Sequence, residues 1–356
     1  MVNKRFFWYK RILTMAVIAL SMVLFCSLYR NNEHKNTVQT NYDGTEIFPC
    51  GFSVGIYLET EGVLVVGTDV ITGSDGLNYE PAHGIVKEGD YIVAVNDINV
   101  SAKSQLGFLI NKYGNKALTL TIRRDGELMD VKITPVCVGT EQYKLGIWVK
   151  DDSQGIGTMT YITYDGDFGA LGHGISDSDT KKLLSAENGR IYEADIWGIT
   201  KGRSGSPGSL CGSINYDESN IMAAIESNTD IGIYGNLAEY KEAMDIIDEY
   251  DLEPMEICSK KDVQLGKAYV RTAVTGEVKD YEIEITELKN QSEGNKGIVL
   301  KVTDEELLEL TGGIVQGMSG SPIIQGDKII GAVTHVFVND STKGYGIYIE
   351  NMLEHN

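Results

Sequence analysis

The chain has 356 residues, 42% of them hydrophobic, which is enough for a well-buried core and for more than one domain. A formal net charge of −20 and a pI of about 4.7 argue against nucleic-acid binding and give no support for broad adhesion to anionic membranes. The 40 glycines, set among many short β-rich runs, indicate a mainly β protein with many turns.

The first element is a targeting segment over residues 1–30. Basic residues precede an uncharged stretch from Ile12 to Tyr29, whose eighteen residues just span a bilayer core at about 1.5 Å per residue. The basic flank predicts that the N-terminus stays inside and that the rest is exported. Because no clean Ala-x-Ala cleavage site is visible, we favour an uncleaved signal anchor over a cleaved signal peptide. Polar residues 31–45 are interpreted as a linker.

Residues 46–135 form a compact unit of predicted strands and one helix. The segment GFSVGIYLE (51–59) alternates like a strand after a glycine-rich loop, and GVLVVG (62–67) is typical of a short buried strand. Residues 101–113 have apolar residues at helical spacing. Residues 117–133 are predicted to form a hairpin with Asp125-Gly126 in its turn.

This unit resembles a PDZ domain, and the residues that carry the resemblance are Pro81-Ala82, Gly89-Asp90-Tyr91-Ile92, Asn96 and the loop Gly51-Phe52-Ser53-Val54-Gly55. A PDZ domain binds an extended peptide by adding it to a sheet edge. The resemblance therefore implies that the amides of Gly51, Phe52, Ser53, Val54 and Gly55 capture a terminal carboxylate. The alternative is a small β domain that only positions the C-terminal part of the chain.

Residues 136–356 contain short strand-like runs at a spacing that fits a β-sandwich or a pair of small barrels. One helix is predicted over residues 236–250, with Asn236 as its N-cap and Leu237, Tyr240, Met244 and Ile247 on one face. The five cysteines show no Cys-x-x-Cys spacing, which argues against a zinc site. The sequence does not decide between disulfides and single buried thiols.

The motif Gly-x-Ser-Gly-Ser-Pro occurs twice, as GRSGSP (202–207) and GMSGSP (317–322). A serine nucleophile needs a neighbouring base and backbone amides aimed at the developing oxyanion, and a small-residue turn supplies such amides. In GMSGSP the nucleophile would be Ser319, and the amides of Gly317 and Ser319 would form the oxyanion hole. An apolar hairpin follows this loop and fixes it, whereas GRSGSP continues into a glycine-rich run. We therefore favour Ser319 over Ser204.

The predicted base is His173, which lies in ALGHGISDSD between two glycines that leave it room to face a substrate. The alternative base is His335, which lies within a predicted strand. The other histidines are less suitable: His34 is in the linker, His83 in a turn and His355 near the C-terminus. A carboxylate should orient the imidazole. Sequence spacing alone does not identify this carboxylate among the candidate acids. Two of them have a structural alternative: Asp304 could cap a helix, and Asp177 could be a solvated turn residue. The candidate acids are Asp165, Asp167, Asp177, Asp179, Asp304, Asp327 and Asp340.

Two long segments, YDGDFGALGHGISD and TGGIVQGMSGSPIIQGDKIIGAVTHVFVND, resemble the peptidase domain of the stage IV sporulation protein B family, the S55 serine endopeptidases of endospore-forming bacteria. The order of membrane anchor, PDZ domain and peptidase agrees, and the resemblance covers most of residues 46–356. It implies a trypsin-like double β-barrel peptidase domain over residues 136–356. It also implies that His173 is the base, Ser319 the nucleophile and Asp304, fifteen residues upstream, the third member. GRSGSP is not part of the shared motif.

The same resemblance implies a biological role. Such an endopeptidase would cleave itself and a membrane-bound regulator in the sporulation pathway, which leads to activation of a late sporulation sigma factor. Its partners would be this protein substrate, itself and, through the N-terminal segment, the membrane, with no nucleic acid and no metal or organic cofactor. It would act outside the cytoplasm, in the intermembrane space of the developing forespore. The alternatives are a catalytically inactive PDZ-containing tethering protein and a stress protease of the HtrA type, in which the PDZ domain usually follows the peptidase.

Overall fold

A computed structural model describes residues 42, 44–237, 242–289 and 294–354. The predicted signal anchor over residues 1–30 and most of the predicted linker lie outside the described residues. Within the described ranges, no helix is long and apolar enough to cross a membrane. The helices are α1 (Lys103–Tyr113), α2 (Ala243–Glu249), α3 (Glu305–Thr311) and α4 (Ile349–Leu353), with a 3₁₀ turn at Glu218–Asn220.

Strands dominate, which confirms the predicted mainly β class. Those up to residue 162 are β1 (Glu46–Pro49), β2 (Ser53–Thr68), β3 (Ile71–Thr72), β4 (Asn78–Tyr79), β5 (Tyr91–Val95), β6 (Ile98–Asn99), β7 (Leu118–Arg124), β8 (Glu127–Ile133), β9 (Val136–Gly139), β10 (Gln142–Lys144) and β11 (Ile147–Ile162). The later strands are β12 (Asp167–Ala170), β13 (Ala186–Thr200), β14 (Ser209–Ile214), β15 (Ile221–Thr229), β16 (Gly232–Asn236), β17 (Met255–Ile257), β18 (Gly266–Thr272), β19 (Lys279–Leu288), β20 (Ile298–Val302), β21 (Pro322–Gln325), β22 (Lys328–Phe337) and β23 (Asp340–Tyr348).

Six antiparallel strands close a first ring. The pairings run from β2 to β11, β12, β16, β15 and β13, and β13 pairs again with β2. Alternate side chains of β2, namely Val54, Ile56 and Leu58, point into a core shared with Met159 and Ile191. Closing the sheet on itself leaves no free edge along this part of the ring.

Six further antiparallel strands close a second ring. The pairings run from β18 to β19, β20, β23, β22 and β21, and β21 returns to β18. Its core contains residues of nearly every strand, among them Val270, Ile283, Leu300, Ile323 and Val333. Helix α3 and the GMSGSP loop lie between β20 and β21, so the loop leads from α3 directly into a strand of the second ring.

A third core lies between the outer halves of β2 and β11. Both strands have 16 residues, and they pair from Ser53↔Thr158 to Thr68↔Ile147. The chain leaves the first ring along β2, folds residues 63–145 around α1, and returns along β11. The predicted hairpin at Asp125-Gly126 is present, and both turn residues have positive φ, 50° and 87°.

The structure differs from the predicted boundary between a unit over 46–135 and a peptidase domain over 136–356. Residues from Phe48 to Leu58 pack in the core of the first ring, together with residues 159–252. The smaller unit is therefore inserted into the first ring and does not precede it. The reason is that β2 runs without interruption through both cores, and its alternating pattern does not show where one core ends.

The proposed carboxylate-binding loop is also placed differently. Phe52 and Val54 are 2% and 0% exposed, and the Gly51 amide donates to the Met159 carbonyl at 2.9 Å. Ser53 and Gly55 belong to β2 and pair with β11. The structure therefore places the predicted peptide-binding residues Gly51, Phe52, Ser53, Val54 and Gly55 inside the first ring, paired with neighbouring strands and not at a free sheet edge.

The predicted helix over 236–250 is shorter than expected. Helix α2 begins at Ala243, and Asn236 is the last residue of β16, where its side-chain amide donates to Asp167 Oδ1 at 2.6 Å. Residues 238–241 lie outside the described part of the chain. Met244, predicted to be on the apolar face, is 50% exposed, whereas Ile247 is buried as predicted.

Candidate active site

A cavity of about 400 Å³ lies where the two rings meet, and it brings His173 and Ser319 together. The first ring contributes β2, β11 and the turn after β12, and the second contributes the GMSGSP loop and β22. None of the lining residues carries an ionised carboxylate, an ammonium or a guanidinium group. They are Ile56, Ser153, Gln154, Gly155, Ile156, Leu171, His173, Gly174, Ile175, Ser176, Ile314, Val315, Gln316, Gly317, Ser319, Thr334, His335 and Val336.

His173 follows β12 on a tight turn. Leu171 and Gly172 both have left-handed backbones, with φ of 68° and 65°. A Cβ at Gly172 would lie 2.9 Å from Thr334 Cγ2, so a glycine lets this turn approach the second ring. The approach sets the imidazole facing the cavity.

The tautomer of His173 follows from a hydrogen bond of its ring. Nδ1 lies 2.9 Å from the Gly174 carbonyl, and because a carbonyl only accepts, Nδ1 carries the hydrogen. Nε2 is then the unprotonated nitrogen. Burial lowers the pKa of His173 below its ordinary value, partly offset by the bond to Gly174, which keeps the ring neutral near pH 7. His173 is therefore equipped to accept a proton.

Ser319 is held in a loop that is clamped onto the first ring. Buried Thr158 and Thr160 of β11 donate their hydroxyls to the carbonyls of Gly317 and Gly320 at 2.8 and 2.7 Å. The Thr158 amide donates to the Ser319 carbonyl at 3.1 Å. At Gly320, with φ of 95°, a Cβ would lie 2.2 Å from the Thr158 carbonyl. These contacts fix the backbone of the serine. No local pattern in the sequence points to either threonine.

Two amides of this loop are unused. Within the described ranges, neither the Gly317 amide nor the Ser319 amide donates a hydrogen bond, whereas the Met318 and Gly320 amides donate to the carbonyls of Val315 and Val333. Two such amides, one on the serine itself and one two residues before it, can stabilise a developing oxyanion. The Ser319 hydroxyl itself donates to the Thr334 carbonyl at 2.9 Å.

His335 also lines the cavity, although its place in a strand favoured an ordinary packed residue. Its ring centroid lies 5.0 Å from that of His173. Its Nδ1 is buried and has no hydrogen-bond partner in the part of the chain that the structure describes. Burial, with smaller contributions from His173 and Lys296, lowers the pKa of His335 to about 4. The strand pairing of β22 with β23 places it here, and no local sequence signal could have shown this.

The structure does not bring Asp304 to His173. Asp304 is the N-cap of α3: Oδ1 accepts from the Leu307 amide at 3.0 Å and Oδ2 from the Glu282 amide at 3.3 Å. It does not line the cavity. These are the contacts of the competing interpretation, a helix cap. The position that a triad carboxylate would occupy at His173 Nδ1 is taken by the Gly174 carbonyl.

The other candidate acids lie outside the cavity as well. Asp177 forms an ion pair with Lys150 at 2.8 Å and accepts the amides of Asp179 and Thr180, as expected of a turn residue. Its burial favours a higher pKa, but the bonds to Lys150 and the two amides hold the pKa below its ordinary value. Among the described residues, no group of three or more His, Cys, Asp or Glu side chains could hold a metal ion.

Ser204 lies apart from His173 and Ser319. It is exposed at the tip of the β13–β14 hairpin, where its hydroxyl donates to the Asn339 carbonyl at 3.0 Å. It does not line the cavity. Of the two copies of the motif, the structure therefore brings only the serine of GMSGSP to His173.

Comparison with known proteins gives one match of consequence. The family model described as SpoIVB peptidase S55 matches residues 141–353. Among solved structures, the active form of the Rv3671c protease from M. tuberculosis is similar at 13% identity, over 57% of this chain and 72% of that chain, with a TM-score of 0.31. The inactive form of that protease matches at 14% identity, over 56% and 81%, with a TM-score of 0.28. No curated protein matches the chain.

Proposed function

Because the chain belongs to the SpoIVB peptidase S55 family and is a serine endopeptidase, we propose that Ser319 is its nucleophile and His173 its general base. The observation that carries this proposal is the shared cavity: a neutral imidazole, a serine hydroxyl and two unused amides line it together. A peptidase of this kind needs these three components.

The chemistry follows from these positions. The Ser319 hydroxyl turns from the Thr334 carbonyl to His173 Nε2, which accepts its proton as Oγ attacks the substrate carbonyl carbon. The oxyanion that forms is stabilised by the amides of Gly317 and Ser319. The imidazolium then protonates the leaving amine, and water repeats the sequence to release the acyl group. The Gly174 carbonyl holds the reactive tautomer throughout.

In this proposal Asp304 has a positioning role. It caps α3, the helix that leads into the nucleophile loop, and does not contact His173. The two closed rings correspond to a trypsin-like double β-barrel, with the active site at their junction, and residues 63–145 correspond to a PDZ-like unit inserted between β2 and β11. The arrangement supports an endopeptidase whose PDZ-like unit is joined to the first ring by two continuous strands, β2 and β11.

Family membership supports a sporulation role. We propose that the protein is anchored by residues 1–30, is exported to the intermembrane space of the forespore, cleaves itself and cuts a membrane-bound regulator, which leads to activation of a late sporulation sigma factor. The cavity has no charged side chain, which favours uncharged substrate side chains at the cut.

Mass spectrometry of the cleavage products of the full chain tests the proposed nucleophile. We expect Ser319→Ala to abolish self-cleavage and the matched variant Ser204→Ala to yield the same products as the wild type. Loss of self-cleavage in Ser204→Ala, with cleavage retained in Ser319→Ala, would contradict the assignment. Removing one member of such a catalytic unit lowers the rate by roughly 10⁴-fold or more.

A further inference from the structure

The second copy of the motif lies in a hairpin that leaves the first ring and contacts the second. Strand β13 pairs with β2 as far as Glu193, and from Ala194 onward it pairs with β14 instead. GRSGSP connects the two strands at the end of this extension. We call residues 194–214 the bridging hairpin.

The start of β14, next to the hairpin tip, is hydrogen-bonded to the segment that precedes the nucleophile. The Leu210 amide donates to the Gln316 carbonyl at 2.8 Å, and the Gln316 amide donates to the Gly208 carbonyl at 2.8 Å. Gln316 adjoins Gly317, whose amide is one of the two proposed oxyanion donors. Both backbone groups of the residue before that donor are therefore held by the bridging hairpin.

The tip of the bridging hairpin is hydrogen-bonded to two segments of the second ring that adjoin cavity-lining residues. The Gly202 amide donates to the Thr311 carbonyl at 2.8 Å, where α3 ends. The Gly205 amide donates to the Val338 carbonyl at 2.8 Å, just after β22, the strand that carries Thr334 and His335. One loop thus contacts both second-ring segments that flank the active site.

The Leu210 side chain completes the contact. It is 8% exposed and belongs to the hydrophobic cluster of Ile314, Val315 and Met318, although its strand extends from the first ring. A Cβ built on Gly317 would lie 2.9 Å from Leu210 Cδ1. The side chain therefore packs directly against the backbone of the oxyanion segment.

We propose that the bridging hairpin is a positioning element of the active site, which holds residues 314–317 so that the Gly317 and Ser319 amides face the cavity. This inference rests on the proposed function of those amides. The hydrogen bonds of the bridging hairpin to the second ring go to Gln316, to the end of α3 and to the segment after β22, so they concentrate next to the active site. Ile196 and Ile199 of the hairpin add apolar packing against the second-ring core. GRSGSP then has a role as a docking turn, in which the small residues are required and the serine is not a nucleophile.

The test uses Gly208→Ala and Leu210→Ala in the full chain. A Cβ at Gly208 would lie 2.1 Å from the Thr200 carbonyl and 2.4 Å from the Gly202 nitrogen, so alanine forces the tip open. Leu210→Ala removes the side-chain contact and leaves the backbone unchanged, so it serves if Gly208→Ala does not fold. The matched control is Gly198→Ala in the same hairpin, where the nearest atom to the new Cβ is 3.7 Å away.

Two readouts separate the inference from the proposed function. The first is amide hydrogen exchange over residues 312–321, which we expect to be about 10-fold faster in both variants than in Gly198→Ala, because local opening becomes easier. The second is labelling of Ser319 by diisopropyl fluorophosphate: the maximal rate should fall by about 10²-fold, the effect of losing one oxyanion donor, with the half-saturating concentration within about 2-fold.

The inference would be overturned by folded variants in which two rates stay within about 2-fold of those in Gly198→Ala. These are the rate of amide exchange over residues 312–321 and the rate of Ser319 labelling. Failure of the proposed function has a different signature, because the wild type would then give no Ser319 adduct. In that case hydrogen exchange alone decides whether the hairpin holds the segment: faster exchange in the variants supports it, and unchanged exchange contradicts it.

Discussion

Asp304 separates two accounts of the same residue, a helix cap and a triad member, and substitution by asparagine distinguishes them. Asp304→Asn keeps a side-chain oxygen for the Leu307 amide, and asparagine caps helices about as well as aspartate. Since the residue does not contact His173, we expect the labelling rate of Ser319 to stay within about 3-fold of the wild type.

Asp304→Ala removes the acceptors of two amides, those of Leu307 and Glu282. The loss of an N-cap costs about 1 kcal/mol, and a second unpaired amide adds about 1 kcal/mol, so the free energy of unfolding should fall by roughly 1–3 kcal/mol. Urea unfolding measures this change, and the labelling rate of Ser319 by a fluorophosphonate measures the active site. Asp327→Asn, in the exposed β21–β22 turn, is the matched control.

The triad account predicts a different pattern. When an aspartate orients a catalytic histidine, its replacement by asparagine lowers kcat by roughly 10⁴-fold, although the fold is preserved. If Asp304→Asn reduces catalysis by that amount with an unchanged urea midpoint, Asp304 acts on His173, and the cap is not its main role.

The geometry of the site leads to three further predictions. Thr158→Val should lower kcat by roughly 10- to 100-fold, because the Gly317 carbonyl loses a part-buried hydrogen bond worth about 1–3 kcal/mol. Thr160→Val should chiefly lower stability. Peptide hydrolysis measures the first effect and urea unfolding the second. Because burial lowers the pKa of His173, kcat/KM should fall on the acid side with an apparent pKa below about 6.5, and a value above that would contradict a buried neutral base. The folded-state pKa of His335, about 4, is depressed, so protonation favours unfolding. The free energy of unfolding should therefore be highest above about pH 6.5 and fall by roughly 1–2 kcal/mol towards pH 4, and His335→Phe should reduce this pH dependence.

The meeting of His173 and Ser319 in one cavity agrees with the sequence-based proposal, because the motifs of both residues are local. His173 lies between glycines and Ser319 in a small-residue turn before a hairpin, and both features are read from adjacent residues. The turn at Asp125-Gly126 was predictable for the same reason, since its dipeptide favours the positive φ values that it adopts.

Other features depend on strand pairing between distant residues, and no local pattern specifies them. Thr158 reaches Gly317 across 159 residues, and His335 faces His173 because β22 belongs to the second ring. The carboxylate-binding role predicted for the loop at Gly51 depended on its local glycines, whereas its burial against β11 depends on pairing with residues about 100 positions away. Spacing of fifteen residues likewise did not determine whether Asp304 reaches His173.

The most direct test of the central claim is the site of a fluorophosphonate adduct on the full chain, mapped by peptide mass spectrometry. We expect the adduct on Ser319 in the wild type and in Ser204→Ala, no adduct in Ser319→Ala, and strongly slowed labelling in His173→Ala, because Nε2 of that ring accepts the serine proton. An adduct on Ser204, or a folded wild type in which Ser319 is never labelled, would contradict the account.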